Sequence, residues 1–447
     1  MITRNRTKLP EKQVAPIWQQ VVGKVLTATE GERIGVIYPG RPNGDNGPDF
    51  RDAAIANESR LMQGDVEVHT KSSDWYRHKH HCDAGYNNII LHVVMWHDCH
   101  STTVLQSGKS VPVLCLAQAL RHQAYLLPHR LPCFRILNCM DKGSLGRLLS
   151  AAGDARFKQK AKHFRTEILR FAQKEQAGQA LFRGMMRALG YSKNAKPFEQ
   201  LASRVPLDYI QSIKGLVRKQ ALLLGTAGLL PSQRWQDNFV GEEEVRELEQ
   251  AWRSVDERTR PMSDDDWNLS HIYPNNSPVR RIAAQSYLLE RYCEGTRSEP
   301  FGGKLAAGLL QLVKEAPLPR GHHALEEGLA VASDGYWRDH FDFGVRSRTR
   351  IPALLGHSKA GEIVVNVLLP FAFTRGKMAN EPELVKKAVQ LYHSYPKLAE
   401  NEITRHMANQ LCLESPSRFT ACHQQGLIHI FRNYCREGRC SGCPLIS

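Results

Sequence analysis

Side chains that can bind metal ions and transfer protons crowd the first fifth of the chain. Asp49 follows a Gly-Pro pair, and the run DVEVHTK comes a short distance later. Alternate side chains share one face of a β-strand, so Glu67, His69 and Lys71 are expected on the face opposite the valines. Two carboxylates can hold a hard cation that activates water, while a nearby base or cation assists attack on phosphorus. If Asp49 lies beside Glu67 on a neighbouring strand, the segment predicts a metal-dependent phosphodiesterase site; otherwise the alternation is that of a half-solvated strand.

More histidines follow in the segment RHKHHCD, namely His78, His80 and His81, just before Asp83. Imidazole and carboxylate groups are the usual ligands of zinc, but the spacing does not match a His-Glu-x-x-His helix. Three interpretations stay open for this segment: histidines of an ordinary basic loop, contacts to a phosphate-bearing substrate, and a zinc site running from His69 to Asp83. The functional prediction that we carry forward is substrate contact.

The two halves of the carboxylate motif together resemble the PD-(D/E)XK nuclease superfamily. Pro48-Asp49 matches the first half of that pattern, and Glu67-Val68-His69 matches the second half, with His69 where the pattern has Lys. The resemblance implies a restriction-endonuclease-like mixed sheet, with Asp49 and Glu67 as ligands of Mg²⁺ or Mn²⁺. It also implies His69 as base or electrophile, with Lys71 supplying the missing positive charge.

A second cluster of possible ligands stands at the C-terminus, in the run NYCREGRCSGCP. Cys435, Cys440 and Cys443 are close enough in sequence to reach one metal centre, and a Cys-Pro ending is frequent at iron–sulfur clusters. The run resembles the iron–sulfur loop of the endonuclease III and adenine glycosylase family, although its first spacer is shorter and the family's fourth cysteine is missing. Cys422 is the expected fourth ligand, with Cys412 less convenient. The expected cofactor is an iron–sulfur cluster, with zinc as the alternative and ordinary thiols as the non-functional interpretation.

Composition indicates a soluble protein with an anionic partner. The chain has 447 residues, a formal net charge of +15 and no apolar run long enough to span a bilayer. Its N-terminal segment MITRNRTKLPEKQ lacks the apolar stretch of a signal peptide, so a cytoplasmic location is expected. Nucleic acid, DNA or RNA, is the commonest partner of a basic cytoplasmic protein. Lys158 and Lys162, in a basic amphipathic segment, are the candidate phosphate contacts outside the motif region.

Hydrophobic periodicity divides the chain into an α/β part and a mainly helical part. Short β-rich runs bounded by Gly, Pro and Asn dominate about the first 120 residues. They include a hairpin formed by RDAAIANES and RLMQGDVEVHT, and a strand at YNNIILHVVMWH. Apolar residues at spacings of three and four dominate the remainder. We therefore expect an α/β domain over residues 1–130, a helical domain over 131–345, and a helical C-terminal region with the cysteine loop over 346–447.

The wider sequence resembles an uncharacterised bacterial family classed as a domain of unknown function. The resemblance rests on GPDF, VEVH, SDWYRH and the cysteine tail, and it runs over nearly the whole chain. The leading functional hypothesis is a metal-dependent nuclease. The alternatives are a nucleic-acid-binding protein that keeps a nuclease-like fold without catalysis, and a zinc-dependent hydrolase built on the histidine cluster.

Overall fold

The chain folds into two compact units. The structure is a computed structural model that describes residues 10–57, 60–99, 102–119, 133, 141–170, 176–191, 193–235, 242–255, 260–269, 272–294, 303–413 and 419–446. The first unit comprises Met1–Asp154, Glu400–Arg418 and His423–Ser447, and the second comprises Ala155–Ala399 and Phe419–Cys422. None of the helices within these described residues is both long enough and apolar enough to cross a membrane.

The first unit is built on a mixed sheet of seven strands, with a separate hairpin formed by β7 and β8. The nine strands are β1 (Val25–Thr27), β2 (Arg33–Tyr38), β3 (Arg41–Pro42), β4 (Phe50–Asn57), β5 (Arg60–Lys71), β6 (Ile89–Trp96), β7 (Thr103–Val104), β8 (Ser110–Val111) and β9 (Val113–Cys115). The sheet order is β1-β2-β4-β5-β6-β9, and β3 pairs with β4. Pairing is antiparallel from β1 to β5 and parallel from β5 through β6 to β9. The predicted hairpin of β4 and β5 and the predicted strand β6 are confirmed.

Helices and turns surround this sheet. The α-helices of the first unit, in whole or in part, are Glu11–Gln19, Asp74–Arg77, Leu116–Ala119, Lys142–Arg170, Glu402–Gln410 and Ala421–Ile430. The short 3-10 turns are His80–Cys82, Ala84–Tyr86 and Cys440–Gly442, and a π-helical turn covers Phe431–Cys435.

The central strand β5 is covered on both faces. Val66 and Val68 pack with Val14 and Trp18 of the first helix in the apolar core on one side. On the opposite face Glu67 is only 5% exposed and His69 only 1%. This face is therefore not the half-solvated surface of an ordinary strand. Burial of ionisable groups costs free energy unless they have partners, so Glu67 and His69 are expected to have partners.

Glu400–Arg418 and His423–Ser447 belong to the sheet unit. The observed division of the chain therefore differs from the division expected at residues 130 and 345. Arg436 Nε lies 3.2 Å from Asp52 Oδ1. The ring of Phe431 packs edge-on against Tyr38 at the end of β2, with centroids 6.3 Å apart. Helical periodicity predicts that a segment is helical but contains no information on which distant core it packs against.

The second unit is mainly helical, as predicted. Its α-helices beyond Lys142–Arg170 are Gln176–Leu189, Ala195–Arg204, Leu207–Ser212, Leu216–Thr226, Pro231–Arg234, Glu243–Arg253, Pro278–Glu294, Gly303–Glu315, Gly321–Leu329, His357–Ile363, Leu369–Met378 and Pro382–Ser394. Four short strands, Val331–Ala332, His340–Asp342, Val345–Arg346 and Ala353–Leu355, form two small antiparallel pairs. The turns are the π-helical Val364–Leu368 and the 3-10 segments Asp264–Asp266, Pro274–Asn276 and Gly335–Arg338. An α/β sheet region followed by a mainly helical remainder is thus confirmed as the coarse architecture.

Close approach of β5 to the start of β6 depends on a glycine. A Cβ at Gly64 would lie 2.5 Å from the carbonyl oxygen of Asn88 and 2.5 Å from Ile90 Cγ2. Gly64→Ala must therefore force the two strands apart, and we expect it to lower the free energy of unfolding by about 1–3 kcal/mol. Gly44→Ala is the matched control, because no atom lies within 4 Å of a Cβ there. Chemical denaturation measures both variants, and equal midpoints would contradict this packing.

Candidate functional site

A pocket of about 500 Å³ opens beside β5 and gathers most of the predicted ligands. It is lined by residues from the first helix, from the loop before β4, from β5 and from the turns that follow β5. These residues are Glu11, Asp45, Asn46, Gly47, Asp49, Glu67, Val68, His69, His78, Lys79, His80, Asp83 and Tyr86. The two halves of the carboxylate motif and the histidine segment therefore meet at one site.

Asp49 and Glu67 are held by reciprocal hydrogen bonds between neighbouring strands. The backbone N–H of Asp49 donates to Glu67 Oε2 at 3.1 Å, and the backbone N–H of Val68 donates to Asp49 Oδ2 at 3.0 Å. The antiparallel register that pairs Phe50 with Val66 produces this arrangement. Each carboxylate thus binds the other's strand, and both face the pocket.

The environment of both carboxylates disfavours their charged forms. Burial, followed by the nearby Asp49 carboxylate, raises the pKa of Glu67 to about 9. Asp49 is exposed as a residue, yet desolvation of its carboxylate raises its pKa too, against the opposing effect of the Val68 N–H. Two neighbouring carboxylates whose charged forms are disfavoured are typical of a cation site, because a bound cation favours the charged form of both.

A chain of hydrogen-bonded imidazoles runs from the core to the pocket. His69 Nδ1 is hydrogen-bonded to His92 Nε2 at 2.9 Å, and His92 Nδ1 is hydrogen-bonded to Thr103 Oγ1 at 2.8 Å. On the pocket side, His69 Nε2 lies 3.2 Å from His78 Nδ1. Burial, followed by the neighbouring His92, lowers the pKa of His69 to about 2, so this imidazole is neutral at physiological pH. A neutral imidazole can bind a metal ion, but it cannot supply the positive charge of the lysine in the resembled pattern.

The turn after β5 brings His78 and His80 beside His69. Lys79 adopts a left-handed conformation, with φ of 61°, between His78 and His80. Trp75 is fully buried beneath them, its ring centroid 5.4 Å from that of His80, and its Nε1 donates to Val104 O at 3.1 Å. Burial, followed by the neighbouring His78, lowers the pKa of His80 to about 4. Trp75 is thus a packing residue that supports the turn.

The distances among these groups fit a single metal ion. His69, His78 and His80 each offer one ligand atom within 4.8 Å of the others. Glu67 Oε1 lies 3.5 Å from His69 Nε2 and 3.3 Å from His80 Nε2. Ligand atoms about 2.0–2.2 Å from a tetrahedral ion are about 3.3–3.6 Å from one another. Three imidazoles and a carboxylate at this spacing form a donor set that suits Zn²⁺, Mn²⁺ or Fe²⁺.

Several predicted site residues lie elsewhere. Lys71 is exposed and its Nζ lies 3.9 Å from Asp98 Oδ2, so it does not line the pocket. The ring of His81 packs on Tyr76, with centroids 4.9 Å apart, and does not line the pocket either. Lys158 and Lys162 are exposed on the helix Lys142–Arg170, within the second unit.

Two further residues of the site, His92 behind His69 and Glu11 in the pocket lining, escaped the sequence reasoning. His92 is the single polar residue of the strand IILHVVMW, and a polar group inside an apolar strand is the signal that would have found it. Glu11 begins the first helix and lines the pocket, where its charge contributes to the raised pKa of Glu67. No local pattern marks it, because its position depends on packing of the helix against the sheet.

The C-terminal cysteines also converge, with a different fourth member. Cys435, Cys440 and Cys443 line one small cavity together with Cys133. Cys422, the second residue of the helix Ala421–Ile430, is buried and does not line this cavity.

The family of the chain follows from a comparison with family models. No curated protein and no solved structure matches the chain. A family model described as "Protein of unknown function (DUF2851)" matches residues 11–402. The match covers Glu11, the carboxylate motif, the histidine turn and the Ala155–Ala399 part of the second unit. The expected membership of a domain-of-unknown-function family is confirmed, and the chain belongs to the DUF2851 family.

Proposed function

We propose that this protein is a metal-dependent nuclease that hydrolyses phosphodiester bonds in DNA or RNA. The observation that carries the proposal is the spacing of Glu67 Oε1 from His69 Nε2 and His80 Nε2, at 3.5 and 3.3 Å, beside the Asp49 carboxylate. Pro48-Asp49 leads into one strand and Glu67 lies on the next. This placement supports the PD-(D/E)XK resemblance, and with it a restriction-endonuclease-like identity for the sheet.

The donor set shifts the expected metal from Mg²⁺ toward Mn²⁺ or Zn²⁺. Mg²⁺ prefers oxygen ligands and retains several waters, whereas imidazole nitrogen suits later divalent ions. His69, His78 and His80 would hold such an ion with Glu67, and Asp49 would stand beside it at the mouth of the pocket. When bound, the ion supplies a Lewis acid that polarises the phosphoryl oxygen and lowers the pKa of bound water.

The protein's own residues divide the remaining tasks. His92 and Thr103 fix the ring orientation of His69, as partners behind a metal ligand commonly do. The Asp49 carboxylate is placed to accept a proton from the attacking water. Lys79 lines the pocket, so it would take the role expected of Lys71 and contact the phosphate.

A cleavage assay tests the proposal. Purified protein, stripped of metal with EDTA, is incubated with labelled single-stranded DNA, duplex DNA and RNA in the presence of Mn²⁺, Zn²⁺ or Mg²⁺. We expect cleavage of at least one substrate, fastest with Mn²⁺ or Zn²⁺ and absent in EDTA. Tight nucleic-acid binding without cleavage under any ion would favour the non-catalytic alternative. Neither binding nor cleavage would favour a zinc-dependent hydrolase of another substrate class.

Binding of nucleic acid should depend on salt and on Lys79. A protein that neutralises several phosphates loses affinity steeply as salt rises. Each phosphate contact contributes about 0.7–0.9 to the slope of log affinity against log salt. Lys79→Gln should therefore weaken binding and reduce the slope of log affinity against log salt by about 0.7–0.9. Lys109→Gln, an exposed lysine outside the pocket, is the control and should leave the slope unchanged. Fluorescence anisotropy measures both, and identical slopes would remove Lys79 from the interface.

A further inference from the structure

Four cysteines line a second, smaller cavity in the first unit, away from the carboxylates. Cys133, Cys435 and Cys443 are 5%, 7% and 4% exposed, and Cys440 is half-buried. The remaining lining residues are Tyr38, Gln410, Tyr434, Leu445 and Ile446. Four sulfur-bearing side chains, three of them from the C-terminal loop, therefore line one cavity.

The loop that carries three of these cysteines is folded to bring them together. Backbone N–H groups of Gly438 and Cys443 donate to the carbonyls of Cys435 and Cys440, at 3.1 and 3.0 Å. Gly438 has a φ of 64°, a left-handed conformation that glycine adopts without strain and that reverses the chain between the first two cysteines. The short spacer and the following Cys-x-x-Cys turn therefore present three thiols to the same space.

Cys133 completes the set from a distant part of the sequence. The side-chain Nε2 of Gln410 lies 3.7 Å from Cys133 Sγ and 3.8 Å from Cys435 Sγ, so the two sulfurs flank one amide. Burial, followed by the proximity of Cys443, raises the pKa of Cys435 to about 12, and Cys133 and Cys440 also contribute. Thiols in mutual electrostatic contact remain protonated unless a cation replaces their protons.

We propose that Cys133, Cys435, Cys440 and Cys443 form a four-thiolate centre for a thiophilic metal, either an iron–sulfur cluster or a single Zn²⁺. Four thiolates are the ligand set that both centres use. Cys133 takes the place that spacing in the tail suggested for Cys422. Such a centre fastens the C-terminal loop to Cys133 and lies beside Tyr38 of β2, and none of its residues lines the pocket of Glu67.

Metal analysis of the whole protein, purified without oxygen and without chelators, tests the proposal. An iron–sulfur cluster gives iron, acid-labile sulfide and broad visible absorption, whereas zinc gives a colourless protein with one zinc ion assigned to the cysteines. In either case Cys133→Ser should lose this metal, and Cys422→Ser should keep it. Cys440→Ser, at the half-exposed position, should also lose it with the least disturbance of packing.

Two results would overturn the four-cysteine centre. One is wild-type protein whose iron and zinc contents equal those of Cys440→Ser. The other is retention of the metal by Cys133→Ser together with its loss from Cys422→Ser, which would return the fourth position to Cys422. Glu67→Gln provides the independent background, because it alters the carboxylate pocket and should leave the cysteine-bound metal in place.

Discussion

Replacing Glu67 by Gln should reduce metal-dependent cleavage by about 100-fold or more while the protein stays folded. Residues that only orient a metal ligand already contribute about 10–100-fold, and Glu67 is placed as a ligand itself. The amide keeps the size of the side chain and an oxygen for the N–H of Asp49, but it lacks the charge that holds the cation. Single-turnover cleavage rates with Mn²⁺, compared at saturating protein, measure the effect.

Asp65→Asn is the matched control for this variant. Asp65 lies two positions earlier on β5, and its carboxylate accepts hydrogen bonds from the N–H of Asp52 at 3.1 Å and from Asn88 Nδ2 at 3.0 Å. Asp65 does not line the pocket, so the cleavage rate of Asp65→Asn should stay close to that of the wild type. Equal losses in the two variants would show that any charge removed from β5 impairs the protein, and Glu67 would lose its assigned role.

Two adjacent histidines should differ sharply in their effect on metal affinity. His80 Nε2 lies 3.3 Å from Glu67 Oε1, whereas the ring of the next residue, His81, packs on Tyr76 outside the pocket. His80→Ala should weaken Mn²⁺ or Zn²⁺ binding by about 10–100-fold or more, since one of four ligands is removed. His81→Ala should bind the ion as the wild type does.

Isothermal titration calorimetry of metal-free protein measures the metal affinity of both variants. Each variant also carries Cys440→Ser, so that metal binding at the cysteine cavity does not contribute. Substitution in a half-exposed turn is expected to leave the sheet folded, which circular dichroism checks. If His80→Ala and His81→Ala bind the ion equally well, the histidine turn is not part of the metal site. The carboxylates would then act alone, as in the Mg²⁺ site first expected.

Local patterns predicted the strands of the site better than they predicted its surroundings. Alternation placed Glu67 and His69 on one face of β5, and the Gly-Pro turn placed Asp49 at the start of the neighbouring strand. The same alternation could not reveal that this polar face is buried, because the rings that pack on His69 come from His78 and His80 in the turn after the strand, and their placement depends on how that turn folds back. Lys71 has the right spacing but lies at the end of the strand, where its side chain reaches solvent.

Long-range packing explains what the sequence left undetermined. The tail cysteines were visible as a cluster, yet Cys133 stands in a segment with no spacing that links it to them. The helices after residue 400 were also predictable, but the contacts of Arg436 and Phe431 with the sheet unit were not. Such contacts depend on three-dimensional complementarity rather than on local periodicity.

Anomalous diffraction from crystals grown with Mn²⁺ tests the central claim most directly. The account predicts one strong manganese peak in the pocket, about 2.0–2.2 Å from Glu67 Oε1 and from a ring nitrogen of each of His69, His78 and His80. A pocket without any peak, in crystals of protein that cleaves nucleic acid with Mn²⁺, would contradict the account and require a different active site.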